Sequence, residues 1–355
     1  MSRISALLTT ITLVACSSSP DAAPSGSAGS GGHGGSVGQA GVGGGGDSST
    51  AAGSTTVAGS AGSGGGASGG SGGGGASTAG SAGQVSADPD AARPSAGCGV
   101  PAAIEPGTFA ATMSMGRNTW IRLPTDYDPM RAYPVIFVLK GCSAAGLTSY
   151  GLQNVAGADA IIAQLDFPPG EDCYDTADGA AFVDLPVFDA LLAQIQTNYC
   201  ADQAHVFAVG FSSGAWLTQL LGCQRGDVLR GIGTIAGGYK PAFMGGAAMC
   251  KGSGLSAFMV SDLDDTNNPF FDDDDDGDSV EIAVNHWLVQ NGCTEQAWSM
   301  TNGTPAEPDM AVCRAYSDCG RFPVKLCLTS GKGHSAQESL AMPGFWQLFQ
   351  ESLPK

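Results

Sequence analysis

The sequence predicts an α/β fold, a mainly parallel twisted sheet with helices on both faces and disulfides holding it together. Three observations predict it. Short apolar runs rich in β-branched residues alternate with segments whose apolar residues recur at helical spacing. One stretch, His205 to Leu221 (HVFAVGFSSGAWLTQLL), reads as strand, tight turn and helix in immediate succession. Ten of the 11 cysteines lie between Cys98 and Cys327, an even number that suits an oxidised, exported domain. Five disulfides are expected, with the connectivity open.

Taken in order, Thr119 to Leu123 reads as an early strand and Pro134 to Leu139 (PVIFVL) as a buried one. Val187 to Tyr199 carries apolar residues at helical intervals. His205 to Val209 is a strand and the segment after Gly214 its helix. Gly231 to Ala236 and Leu255 to Ser261 are further strands, and Val280 to Gln290 a helix. Pro323 to Thr329 is the last strand and Gly344 to Leu353 a closing helix. Strands that alternate with helices pair in parallel and are buried on both faces. Sites in such sheets form outside the carboxyl ends of the strands.

The first 97 residues read differently. Arg3 precedes an apolar stretch, Ile4 to Val14, and then comes Leu13-Val14-Ala15-Cys16. The stretch is too short to span a bilayer and reads as a signal peptide. Its last four residues resemble a lipobox, which predicts cleavage before Cys16 and lipid on its sulfur. Acyl chains supply roughly 0.8 kcal/mol per buried CH₂, enough for two or three chains to hold a domain at a membrane surface. Residues 17–97 are Gly, Ser and Ala with little else. They cannot bury enough apolar surface to fold and read as a disordered tether, spanning on the order of 50 Å as a Gly-rich coil. Residues 98–355 are the expected single folded domain.

The formal net charge is −18 and the isoelectric point about 4.3. That excludes a nucleic-acid partner and anionic-lipid binding through the domain face; membrane contact is expected through the lipid alone, and the domain as a monomer. No C-x-x-C pair and no His/Cys cluster with zinc-ligand spacing occurs. Neither a resident metal nor a cofactor is expected.

The chemistry-bearing motif is Gly210-Phe211-Ser212-Ser213-Gly214, a G-x-S-x-G between a strand and a helix. That context is a nucleophile elbow: the turn exposes the Ser212 hydroxyl at the carboxyl edge of the sheet. The helix N-terminus behind it offers free N–H groups to a developing oxyanion. A serine nucleophile needs a base. His205 begins the nucleophile strand and, at about 3.3 Å per residue, lies roughly 20 Å from Ser212 at the wrong end of the sheet. His286 sits within a helix beside Trp287, where a surface or packing role is expected. His334, in Gly331-Lys332-Gly333-His334-Ser335, follows the last strand and completes the order Ser, Asp, His. The orienting carboxylate falls among Asp262, Asp264 and Asp265, just past a strand end; spacing alone does not choose between them. Leu139-Lys140-Gly141-Cys142-Ser143 follows an earlier strand, where a second oxyanion N–H would come from, to act with the Ser213 N–H.

Together these residues resemble the esterase family of feruloyl esterases, acetylxylan esterases and extracellular poly(3-hydroxybutyrate) depolymerases, on the α/β-hydrolase fold. The resemblance runs over YPVIFVLKGC (Tyr133 to Cys142), FDALLAQIQTNYC (Phe188 to Cys200), VFAVGFSSGAWLTQLLGC (Val206 to Cys223), DLDDTNNPF (Asp262 to Phe270), WLVQNGC (Trp287 to Cys293) and GKGH (Gly331 to His334). It implies Ser212 as nucleophile, Asp265 as acid, His334 as base, and Cys142 and Ser213 as oxyanion donors. Two departures stand out. Lys140 replaces a usual His before Gly141, either altering the pocket or standing exposed at a strand end. Ser261 replaces a usual His at the start of the acid loop.

The expected function is therefore an extracytoplasmic serine carboxylic-ester hydrolase on a lipid tether. Its expected substrate is a hydroxycinnamoyl or acetyl ester of plant polysaccharide. A poly(3-hydroxyalkanoate) depolymerase and a catalytically inactive surface-binding lipoprotein are the alternatives. Asp272 to Asp278 fits the opening of a D-x-D-x-D-G calcium loop, but Ala283 stands where its twelfth-position glutamate belongs. The run reads first as a solvated acidic loop; a calcium-dependent adhesion module is the rival reading. Trp216, Trp287 and Trp346 are expected to pack in the core rather than line an acyl pocket.

Overall fold

A computed structural model describes residues 88, 90–176, 182–239, 250–252, 254–271, 279–294, 310–316 and 318–354. The signal peptide with Cys16, nearly all of the tether and the Asp272 to Asp278 run lie outside the described residues.

Nine strands form one sheet in the order β1-β2-β4-β3-β5-β6-β7-β9-β8. In chain order they are β1 (Phe109–Ser114), β2 (Arg117–Arg122), β3 (Tyr133–Leu139), β4 (Ile161–Leu165), β5 (Ala201–Phe211), β6 (Leu229–Ile235), β7 (Ser256–Asp262), β8 (Val312–Tyr316) and β9 (Val324–Thr329). The central pairings, from β4 through β3, β5, β6 and β7 to β9, are parallel. The margins are antiparallel: β1 on β2, β2 on β4, and β8 on β9. This is the α/β-hydrolase fold.

The central strands are apolar on both faces because both faces are covered. Val135, Phe137 and Leu139 of β3 pack with helices α2 (Asp184–Asn198), α3 (Ser213–Gln224) and α4 (Val280–Gln290). Ile136 and Val138, pointing the other way by strand alternation, pack with α1 (Leu152–Val155) and α5 (Glu338–Gln350). Phe349 of α5 stacks on Phe207 of β5 with ring centroids 4.2 Å apart.

Several expected elements differ in extent. Strands β1, β4 and β8 were not expected from the pattern. β4 is five residues with Gln164 inside it, and that amide is fully buried because it accepts from the Thr148 N–H. β1 and β8 lie at the two ends of the sheet order, half-exposed; a marginal strand has no continuous apolar run to announce it. The closing helix starts at Glu338, not Gly344, and carries Pro343 within it. Its buried face, Ala341, Met342, Phe345, Trp346, Leu348 and Phe349, continues across the proline, and that burial outweighs the lost hydrogen bond.

All ten cysteines pair: Cys98 with Cys200, Cys142 with Cys173, Cys223 with Cys250, Cys293 with Cys319, and Cys313 with Cys327. The last joins residues directly opposite in the β8–β9 ladder. Five disulfides suit an oxidising compartment. Among the described residues no helix is long and apolar enough to cross a membrane.

Composition assigned residues up to 97 to the tether, but residues 90–97 are docked on the domain. The Arg93 N–H donates to Asp202 Oδ1, 2.9 Å, and the Ser95 N–H to the Ala201 carbonyl, 2.9 Å. Asp90 forms ion pairs with Arg230 and Arg321. Arg93, Pro94 and Ser95 give this short segment the specific contacts that Gly-rich sequence lacks.

Candidate active site

β5 carries the chain to the carboxyl edge of the sheet, and α3 begins two residues after its last strand residue, Phe211. Between them Ser212 takes φ 54°, ψ −122°, a left-handed conformation that non-glycine residues rarely adopt. Its N–H donates to the Ile235 carbonyl at 3.0 Å, which ties the strained turn to β6. The turn closes only because its flanks lack side chains. A Cβ on Gly210 would enter the Gly214 carbonyl, and one on Gly214 would enter the Leu139 carbonyl at the end of β3. The expected strand, elbow and helix are all present.

His334 lies in the loop after β9, where the sequence placed it, and meets two side chains at once. Its Nδ1 is 2.8 Å from Asp265 Oδ2 and its Nε2 is 2.9 Å from Ser212 Oγ. A carboxylate only accepts, so Nδ1 carries the proton and the Nε2 lone pair faces the serine hydroxyl. Asp265 is buried and His334 part-exposed. The Phe211 ring packs against the imidazole, centroids 4.9 Å apart, and its other neighbour is Tyr150 at 5.8 Å. Phe211 is the first of the two unspecified residues of G-x-S-x-G, and nothing in the motif announces this support.

The three aspartates left open by spacing have separate partners. Asp265 takes the histidine through Oδ2, while its Oδ1 accepts the N–H groups of Asn267 and Asn268, both at 2.9 Å. Asp264 accepts the Gly331 N–H at 2.7 Å. Asp262 accepts the N–H groups of Asp264, Lys332 and Gly333 and the Thr329 hydroxyl.

The loop after β3 approaches the elbow from the other side. The Gly141 N–H donates to the Tyr150 hydroxyl at 2.8 Å and the Ser143 N–H to the Asp172 carbonyl at 2.7 Å, and the Cys142 amide lies between these two tied positions. Cys142 is bridged to Cys173, which fixes the loop to the segment beyond β4. Ser213 opens α3, so helix geometry leaves its N–H without an intrahelical acceptor.

Lys140 is buried, at 1% exposure, which removes the exposed strand-end reading. Its Nζ donates to the Gly146 carbonyl at 3.0 Å, pairs with Asp166 Oδ1 at 2.6 Å and sits 4.3 Å above the Phe167 ring. Its charge is answered inside the domain. Ser261 is buried, and among the described residues its Oγ finds no partner.

The other histidines serve structure. His205 does not begin the nucleophile strand, since β5 starts at Ala201; it is fully buried within the strand, with Nδ1 2.7 Å from Asp202 Oδ2 and Nε2 2.8 Å from the Ser352 carbonyl. His286 stacks on Tyr239 at 4.0 Å, and burial pushes its pKa down to about 4. Trp287 and Trp346 are core residues. Trp216 is half-buried, one turn along α3 from the serine, and its Nε1–H donates to Asn268 Oδ1 at 2.7 Å, bridging α3 to the acid loop. Among the described residues, Cys293, Asp318 and Cys319 form the one group with metal-ligand proximity, but both sulfurs are consumed in a disulfide.

No family model matches the chain. Curated relatives do. It is 27% identical over 273 residues to the probable feruloyl esterase C of Aspergillus niger, covering 72% of this chain and 90% of that protein. It is 27% identical over 270 residues to feruloyl esterase C of Emericella nidulans, with the same coverage. The chain is an esterase. The feruloyl esterase D of Neurospora crassa matches this esterase over 175 residues at 27% identity, 44% of this chain and 58% of that protein. Among solved structures, the acetyl xylan esterase from Aspergillus awamori superposes with TM-score 0.47 at 13% identity, over 69% of the esterase and 99% of that chain. A ferulic acid esterase from Anaeromyces mucronatus does so with TM-score 0.41 at 15% identity, over 70% and 91%.

Proposed function

We propose that this esterase is an extracytoplasmic serine hydrolase that cleaves hydroxycinnamoyl or acetyl esters of plant polysaccharide through Ser212, His334 and Asp265. The observation that carries the reading is the unbroken hydrogen-bonded line from the Ser212 hydroxyl through the imidazole to the Asp265 carboxylate. His334 takes the hydroxyl proton as Ser212 attacks the ester carbonyl. Asp265 holds the tautomer and stabilises the imidazolium. The Cys142 and Ser213 N–H groups receive the oxyanion. His334 then protonates the departing alcohol and the acyl group stays on Ser212; water, giving its proton to the same imidazole, attacks the acyl carbonyl, and the acid leaves as His334 returns the proton to the Ser212 oxygen. No cofactor enters any step.

The names of the relatives support the substrate class. The proposed organisation is a signal peptide ending at a lipidated Cys16, a tether and the esterase domain acting as a monomer, with the lipid as its only membrane contact. Disulfides support the compartment. The hydrogen-bonded Ser212 and His334 argue against the inactive surface-binding reading, and the burial of Lys140 removes one of its motives.

The test is release of p-nitrophenol from its acetate and butyrate by the parent protein and Ser212→Ala. The variant is expected to lose at least 10³-fold in kcat. Equal rates would refute the mechanism. Parallel assays on methyl ferulate, acetylated xylan and hydroxybutyrate oligomers test the substrate; preference for the oligomers would transfer the reading to a polyester depolymerase.

A further inference from the structure

Asp262 is the last residue of β7, in register with Thr329, the last residue of β9. Its carboxylate is fully buried and accepts four hydrogen bonds. Oδ1 takes the Asp264 N–H at 2.9 Å and the Gly333 N–H at 3.0 Å. Oδ2 takes the Thr329 hydroxyl at 2.7 Å and the Lys332 N–H at 3.0 Å. One side chain thus grips both loops that converge on the site. Asp264 immediately precedes Asp265, and Gly333 immediately precedes His334. Asp264 adds a parallel strap to the Gly331 N–H.

A buried carboxylate is held only when its lone pairs are met. Here three of the four bonds come from backbone N–H groups, so the carboxylate dictates the path of the backbone. Closing one turn would need a single bond of this kind; one bond to Asp264 in the acid loop and three to Thr329, Lys332 and Gly333, at the end of β9 and in the histidine loop, set the distance between those loops. The distance they set is the one spanned by the Asp265–His334 hydrogen bond. We propose that Asp262 is a positioning residue that sets the spacing of the acid and histidine loops and so presents His334 Nε2 to Ser212. The proposal rests on the reading of Ser212, His334 and Asp265 as the reacting groups. The hydrogen bonds of Asp262 go to loop N–H groups and to Thr329, not to the imidazole, so it acts through the backbone.

Asp262→Asn isolates the effect. Whichever end of the amide turns to either side, its NH₂ faces a backbone N–H that needs an acceptor. The volume is kept, but at least one strap becomes a repulsion and the loops must shift. Displacements near 1 Å in a catalytic group reduce rates about 100-fold. We expect kcat on p-nitrophenyl acetate to fall between about 10- and 100-fold with KM within about threefold. The rate of Ser212 labelling by a fluorophosphonate should fall in parallel, because that reaction also needs the imidazole in place. A residue that only stabilised the fold would lower Tm and leave both rates per folded molecule unchanged. Parent-like kcat and labelling in folded Asp262→Asn would therefore overturn the proposal. If that variant does not fold, Thr329→Val and Thr329→Ser decide. A fall in both rates for Val with recovery by Ser supports the proposal; parent-like rates for Val overturn it. Ser212→Ala, assayed beside them, separates the two levels. Full activity there removes the underlying catalytic reading, and the proposal with it. An inactive Ser212→Ala beside an unimpaired Asp262→Asn removes the positioning role alone.

Discussion

Asp265→Asn tests the orientation of His334 most directly, because the structure decides how the new amide must lie. Asp265 Oδ1 accepts two backbone N–H groups, from Asn267 and Asn268, each at 2.9 Å. Only the carbonyl oxygen of an asparagine can replace it there. The NH₂ is then forced toward His334 Nδ1, which in the parent is 2.8 Å from a carboxylate oxygen. Nδ1 must become the acceptor, and the ring proton moves to Nε2, facing Ser212 Oγ at 2.9 Å. A protonated Nε2 cannot take the serine proton. Loss of the correct tautomer in a Ser-His-Asp arrangement reduces kcat about 10⁴-fold, or about 5 kcal/mol in the barrier. Both backbone bonds to the side chain survive, so the fold should be unchanged by circular dichroism. The assay is kcat on p-nitrophenyl acetate, with KM expected within about threefold of the parent because the carboxylate does not touch substrate. A loss smaller than about tenfold in a folded variant would refute the tautomer argument.

Two further predictions concern stability. Burial beside Tyr239 lowers His286 to about 4, so the folded chain keeps it neutral where the unfolded chain, titrating near 6.5, is protonated. The stability that depends on neutral His286 is complete above pH 6.5 and declines as pH falls towards 4, by about 3 kcal/mol at the acid end. His286→Leu should flatten Tm against pH between 7 and 4; parallel curves for the two proteins would contradict this. Lys140→Met keeps the apolar stem over Phe167 but strips Asp166 of its cation. We expect a loss of about 2 kcal/mol in urea unfolding, below the value for a fully buried pair because Asp166 retains some solvent. Adding Asp166→Asn should restore at least half of it, whereas strictly additive losses would show that the pair is not coupled.

Much of this molecule was legible along the chain. The central strands β3, β5, β6, β7 and β9 are short apolar runs bounded by glycine, proline or polar residues, and burial on both faces demands that pattern. The elbow was legible because its glycines are sterically obligatory. Other features left weaker marks. β4 carries a glutamine whose burial makes sense only once the Thr148 amide lies against it. Pro343 reads as a stop until the apolar face of α5 is seen to continue past it. Lys140 at a strand end reads as a solvated cation, because its carboxylate partner lies 26 positions further along the chain.

The same division holds at the site. Local sequence determined the strand-elbow-helix around Ser212 and the loop position of His334, because each depends on neighbours within a few residues, and the alternation of such segments along the domain determined the class of fold. The tertiary structure decided which aspartate meets the imidazole, which cysteines pair, that Phe211 backs the histidine, and that Asp262 straps two loops together. Those outcomes depend on how strands far apart in sequence come into register. β7 and β9 are separated by more than 60 residues, and only their pairing brings Asp262 opposite Thr329 and Asp265 within 2.8 Å of His334.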